Sequence, residues 1–153
     1  MDETLIYHNN MGQYSVTTLV KGKEIEIRFD IRPFFSNFLR TVSAHYEIVV
    51  FTASLQYYAD PILDFIDTHN VINKRFYRSS CIYEHGRYIK DLRIFRNRPL
   101  SQILIVDNSI DSMIANLYNA IPILTWKGNP DDEELLKLTE YLRQISGTAN
   151  LRE

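Results

Sequence analysis

The chain has 153 residues, 45% of them hydrophobic and 24% charged, with five glycines and five prolines, which argues against collagen-like, low-complexity and disordered chains. Its length lets it bury roughly 68–70% of the surface its unfolded form exposes, enough for a core without disulfide or metal staples in one domain spanning residues 1–153. A formal charge of −2 argues against general nucleic-acid or acidic-membrane binding, and a single cysteine, Cys81, fits a reducing intracellular compartment, nuclear or cytoplasmic.

The first readable element is a hairpin. Tyr14 to Val20 is rich in β-formers, Lys21-Gly22-Lys23 turns the chain, and Glu24 to Phe29 alternates polar and apolar residues. Pro33 then opens a helix with Phe34, Phe35, Phe38, Leu39 and Val42 at helical spacing. Glu47 to Phe51 is a short apolar strand ending at Thr52, and Asp60-Pro61 supplies the cap and first-turn proline of a helix carrying Ile62, Leu63, Phe65 and Ile66.

Arg75 to Tyr77 and Ile82-Tyr83 are strand-like, and Glu84 to Arg87 turns toward Tyr88-Ile89. Ile103 to Val106 is the clearest buried strand and ends at Asp107-Asn108. Ile121 to Leu124 is a further strand whose Pro122 suits a sheet edge. The last helix starts at Pro130, bears Leu135, Leu136, Leu138, Tyr141, Leu142 and Ile145 on one face, and stops at Gly147. Strands alternating with helices predict an α/β fold with a largely parallel sheet and a small antiparallel insert. Ligands of such sheets bind beyond the strand C-termini, where Thr52 and Asp107-Asn108 stand.

Four polar clusters carry groups suited to phosphoryl chemistry: Asp2-Glu3-Thr4, Phe51-Thr52-Ala53-Ser54, Lys90 and Val106-Asp107-Asn108-Ser109. Carboxylates bind Mg²⁺, a hydroxyl and a lysine hold phosphate oxygens, and a further acid serves the leaving group. Each alone is better explained by capping or solvated surface. Their order, with two just past buried strands, is what points to a site. The four histidines lack metal-ligand spacing, and Cys81 reads as a small buried residue.

These stretches, with Arg32-Pro33, Tyr58-Ala59-Asp60-Pro61, Tyr88-Ile89-Lys90-Asp91-Leu92 and Asn119 to Ile123 before Trp126, give the chain a resemblance over nearly its whole length. It resembles the catalytic domain of the small C-terminal-domain phosphatases and their Dullard-like relatives, within the haloacid dehalogenase superfamily. The resemblance implies a Rossmann-like core and dephosphorylation of Ser/Thr in a phosphoprotein or peptide substrate, with Mg²⁺ as cofactor. Residue by residue it makes Thr52 the phosphoryl-binding hydroxyl and Lys90 the neutralising cation. Asp107 and Asn108 become metal-orienting residues. Asp2 becomes the acid and base, its backbone carbonyl also on the metal. Tyr58 and Arg78 match positions flanking the substrate groove.

The family's first motif is Asp-x-Asp-x-Thr, whose first Asp is the nucleophile of an aspartyl-phosphate intermediate. With Asp2 and Thr4 in register, Met1 occupies the x position, and the nucleophile falls one residue before Met1. The expectation is thus an N-terminally truncated domain, inactive as it stands and lacking the family's central strand. The alternative is a non-enzymatic peptide-binding domain, to which a mitochondrial import-translocase subunit of similar fold is a precedent. No apolar run is long enough to span a membrane, and the absence of heptads makes a monomer the default.

Overall fold

A computed structural model describes residues 1–152. A short strand β1 (Ile6–His8) is followed by β2 (Tyr14–Val20) and β3 (Lys23–Ile31), which form a three-stranded antiparallel sheet in the order β1-β3-β2. The predicted hairpin pairs Val20 with Lys23, leaving Lys21-Gly22 as a two-residue turn. Both turn residues have positive φ, 51° and 76°, the twist that closes a tight hairpin. The face carrying Val16, Ile27 and Phe29 turns inward, whereas Leu19 on the other face is exposed.

Helix α1 (Phe35–Ser43) buries Phe35, Phe38, Leu39 and Val42 as the periodicity predicts. Phe34 departs from it: its backbone is left-handed at φ 65°, and its ring is exposed. Strand β4 (Ile48–Phe51) pairs in parallel with β5 (Ile72–Phe76), joined by helix α2 (Gln56–Ile66). This helix corrects the sequence expectation, because it starts before Asp60 and holds Pro61 in its interior. Proline has no N–H for the Tyr57 carbonyl one turn earlier. The Thr18 hydroxyl of β2 supplies the donor at 2.9 Å, so tertiary packing repairs the helix where local sequence breaks it. The Asp67 carboxylate then receives the N–H groups of Val71 and Ile72 and turns the chain into β5.

Strands β6 (Ile82–Glu84) and β7 (Arg87–Ile89) form the small antiparallel insert. Strand β8 (Ile105–Asp107) pairs in parallel with β9 (Ala120–Pro122), and the short helix α3 (Ile110–Met113) follows β8. Helix α4 (Glu134–Ile145) begins four residues later than Pro130 suggested, which frees Asp132 for an ion pair with Arg32. Leu135, Leu138 and Leu142 are buried, while Leu136 and Tyr141 are exposed.

The pairs β4–β5 and β8–β9 share no ladder among the described residues. Side chains join them instead: Val50 and Ile123 lie in one core cluster with Met1, Ile6, Phe29 and residues of α1, α2 and α4. This core presents the C-terminal ends of β4 and β8 to one region.

Candidate active site

Thr52 follows β4 and is 2% exposed; its N–H is fixed by the Phe76 carbonyl of the neighbouring strand at 2.8 Å. Its Oγ1 receives the Ser54 N–H at 3.0 Å. The hydroxyl proton of Thr52 is thereby left to donate elsewhere.

Asp107 ends β8, and its carboxylate pairs with the Lys90 ammonium, which stands just past β7; the side chains are 6% and 5% exposed. Asp107 Oδ1 also receives the Ser109 N–H at 2.8 Å. Burial raises the Asp107 carboxyl, but Lys90 leads the contacts that outweigh it and hold the group below the usual carboxylate range. The pair is nearly dry, so the stability of each charge depends on the other.

The N-terminal segment enters the same region. The Met1 carbonyl takes N–H bonds from Thr4, Leu5 and Ile6, a tight turn that brings Asp2 and Thr4 toward the strand ends. Trp126 N–H holds the Glu3 carbonyl at 2.8 Å. The Met1 amino group is buried, which lowers its proton affinity; Lys90 lowers it further, while Asp2 and Asp107 oppose. The charged neighbours of this amine are therefore Lys90, Asp2 and Asp107.

The Asp2 carboxylate is held from both sides. Ser54 Oγ donates to Oδ2 at 2.7 Å and Tyr58 Oη to Oδ1 at 3.0 Å. Burial, then the charge and hydrogen bond of Asp2, push the Tyr58 phenol well above its ordinary range. Asn108 spans the opening between two segments: its Oδ1 accepts from Thr4 Oγ1 at 3.1 Å, and its amide nitrogen reaches Glu3 and Thr125 at 3.3 Å.

The structure thus brings Asp2, Thr52, Lys90, Asp107 and Asn108 together at the strand ends. Tyr58 reaches the site as a ligand of the Asp2 carboxylate. Arg78 lies beside the site, tied to the Thr52–Ser54 loop: its Nε donates to the Ala53 carbonyl at 2.7 Å, its N–H to the Ser54 carbonyl at 3.0 Å, and its guanidinium stacks on Tyr88 at 4.9 Å. A groove lined by Leu55, Tyr57, Tyr77, Arg78 and Ser79 runs from this loop. Sequence reasoning gave no role to Ser54, Thr4 or the Glu3–Asn108 contact, although all lie inside the motif stretches. Local sequence carries no signal for a hydroxyl that contacts a carboxylate 52 positions away.

The donors available to a cation are hard oxygens. Asp107 and Asn108 side-chain oxygens each have a second acceptor position beyond their internal hydrogen bond. Among the described residues no three of His, Cys, Asp and Glu converge. A small oxygen-seeking ion that keeps several waters, such as Mg²⁺, suits a set of one carboxylate, one amide and backbone carbonyl.

The family model for NLI interacting factor-like phosphatases matches residues 1–152. The chain is 41% identical over 158 aligned residues to a probable C-terminal domain small phosphatase of Dictyostelium discoideum, covering 99% of this chain and 51% of that protein. It is 36% identical over 155 residues to the human carboxy-terminal domain RNA polymerase II polypeptide A small phosphatase 2, covering 99% and 57%. The chain therefore spans about half the length of these curated relatives. A solved structure of Fcp1, an essential RNA polymerase II CTD phosphatase, superposes with a TM-score of 0.69 at 20% identity, over 95% of this chain and 48% of that one. At that identity the match speaks for the fold, and it bears out the α/β expectation. With the motifs in place and the match running from end to end, the chain belongs to the NLI interacting factor-like phosphatase family.

Proposed function

We propose that this chain is the catalytic domain of a Mg²⁺-dependent protein serine/threonine phosphatase that works through an aspartyl-phosphate. The observation that carries this reading is the cluster at the strand ends, where the buried Lys90–Asp107 pair lies in the same region as an Asp2 carboxylate held by Ser54 and Tyr58. In this reading the nucleophile is the first Asp of the Asp-x-Asp-x-Thr pattern, which falls one residue before Met1.

In this reading the carboxylate at that position attacks phosphorus. The bond from phosphorus to the substrate Ser or Thr oxygen breaks, and Asp2 gives that oxygen its proton. Water then attacks the aspartyl-phosphate, Asp2 takes a proton from it, and phosphate leaves as the carboxylate is regenerated. Thr52 donates its hydroxyl to a phosphoryl oxygen, and Lys90 offsets the charge of nucleophile and phosphate. Mg²⁺, when bound, supplies positive charge to the phosphoryl oxygens, and Asp107, Asn108 and the Asp2 carbonyl would hold it. Arg78, which lines the groove with Leu55, Tyr57, Tyr77 and Ser79, and Tyr58, which precedes Ala59 in α2, would flank the phosphorylated polypeptide, the role the resemblance gives them. The name of the human relative, a small phosphatase of an RNA polymerase II polypeptide, supports a phosphoprotein substrate and a nuclear site of action.

The test compares two chains on a phosphoserine peptide. Residues 1–153 alone release no phosphate, whereas a chain extended upstream through Asp-Met-Asp-Glu-Thr does so with Mg²⁺. In the extended chain, Asp2→Asn lowers turnover by roughly 10²–10⁴-fold. Turnover by residues 1–153 alone would exclude an upstream nucleophile. An extended chain that binds the peptide without Mg²⁺ and never turns it over would instead support the non-enzymatic reading.

A further inference from the structure

We propose that Ser54 is a positioning residue that sets the proton donor and the phosphoryl-binding hydroxyl in register, with Tyr58 as its counterpart on the far side of the donor. This rests on the phosphatase reading above. One residue touches both groups: the Ser54 hydroxyl donates to Asp2 Oδ2 at 2.7 Å, and the Ser54 N–H donates to Thr52 Oγ1 at 3.0 Å. Ser54 is itself fixed, because its carbonyl receives the Arg78 N–H at 3.0 Å and the preceding Ala53 carbonyl receives Arg78 Nε at 2.7 Å.

A carboxylate has two oxygens with about two acceptor positions each. Ser54 takes one on Oδ2 and Tyr58 one on Oδ1, so the carboxyl plane of Asp2 is held and one position on each oxygen stays open. Those open positions are where a departing oxygen or an attacking water would exchange a proton. In the same loop the Ser54 N–H occupies one lone pair of Thr52 Oγ1, so the hydroxyl proton stays free to donate. A shift of the Ser54 backbone would therefore move both groups together.

Positioning of a proton donor matters in proportion to the basicity of the leaving oxygen. A serine alkoxide needs the proton as it departs, whereas p-nitrophenolate leaves without one. With the full-length protein, single-turnover release from a phosphoserine peptide is compared with the p-nitrophenolate burst from p-nitrophenyl phosphate. Ser54→Ala slows the peptide reaction about tenfold or more while the burst rate falls less than about threefold. Ser54→Thr, which keeps a hydroxyl, restores most of the peptide rate. Tyr58→Phe removes the other hydroxyl with little change of volume, and at saturating peptide, where a lost substrate contact is not read, it shifts the ratio of the two rates in the same direction even if Ser54→Ala folds poorly. Equal slowing on both substrates, or none on either, with the wild-type burst present, would overturn this inference alone. A wild-type protein with neither burst nor peptide turnover would overturn the phosphatase reading, and the inference with it.

Discussion

Arg32 and Asp132 form a two-point ion pair across the domain: Nε donates to Oδ1 at 2.7 Å and Nη2 to Oδ2 at 2.8 Å. The guanidinium is fully buried, and it also donates to the Thr4 and Leu124 carbonyls at 3.0 and 2.9 Å. One side chain thus ties the loop that carries Asp2 to the segment after β9 and to the approach of α4.

Hydrogen bonds from Arg32 hold the Asp132 carboxyl below the usual range, against the opposing effect of burial. A carboxyl depressed in the folded state stabilises fully above its unfolded pKa of about 3.9, and that stabilisation is lost as pH falls through the folded value. Asp132→Asn therefore costs on the order of 3 kcal/mol at neutral pH, since it leaves a buried guanidinium without its counter-charge. The gap to wild type narrows below about pH 4. Urea midpoints measured at neutral and acid pH check both the size and the sign.

The Thr18–Tyr57 bond accounts for a proline inside α2. Thr18→Val removes the donor and costs about 1 kcal/mol in wild type. Pro61→Ala restores a backbone N–H for the Tyr57 carbonyl, so in that background the cost of Thr18→Val falls toward zero. A double-mutant cycle by chemical denaturation decides it, and additive effects would reject the compensation.

Lys90 has a buried partner in Asp107, so a simple truncation is a poor probe of its charge. Lys90→Ala strands the Asp107 carboxylate in a site 4% exposed and is expected to cost about 3–5 kcal/mol. Lys90→Met combined with Asp107→Asn removes both charges at similar volume and retains most of that stability. Thermal unfolding of the two variants separates loss of fold from loss of the Lys90 charge.

At Gly12 a Cβ would stand 2.6 Å from the backbone nitrogen and carbon of Phe29. The Gly12 N–H bonds the Asn9 carbonyl at 2.8 Å and its carbonyl receives Arg28 at 3.1 Å, so the turn cannot move away cheaply. Gly12→Ala is expected to cost about 1–3 kcal/mol or more, as overpacking does. A shift in the urea midpoint of less than half a kilocalorie equivalent would show that the turn relaxes.

The sequence by itself determined the elements whose signals are local. The Lys21-Gly22 and His85-Gly86 turns, both at positive φ, fix two hairpins because only certain backbones close a two-residue loop. The apolar spacing in α1 and the run into Asp107 place a helix and a strand, since burial selects those periods. The motif order was also legible, and with it the five residues that meet at the strand ends. What only tertiary structure decided are the partners. Pro61 sits inside a helix because Thr18 lies against it, Asp132 leaves the first turn of α4 because Arg32 claims it, and Tyr58 turns to Asp2. Each is a hydrogen bond between segments distant in sequence, fixed by how the layers pack, and no local pattern encodes it.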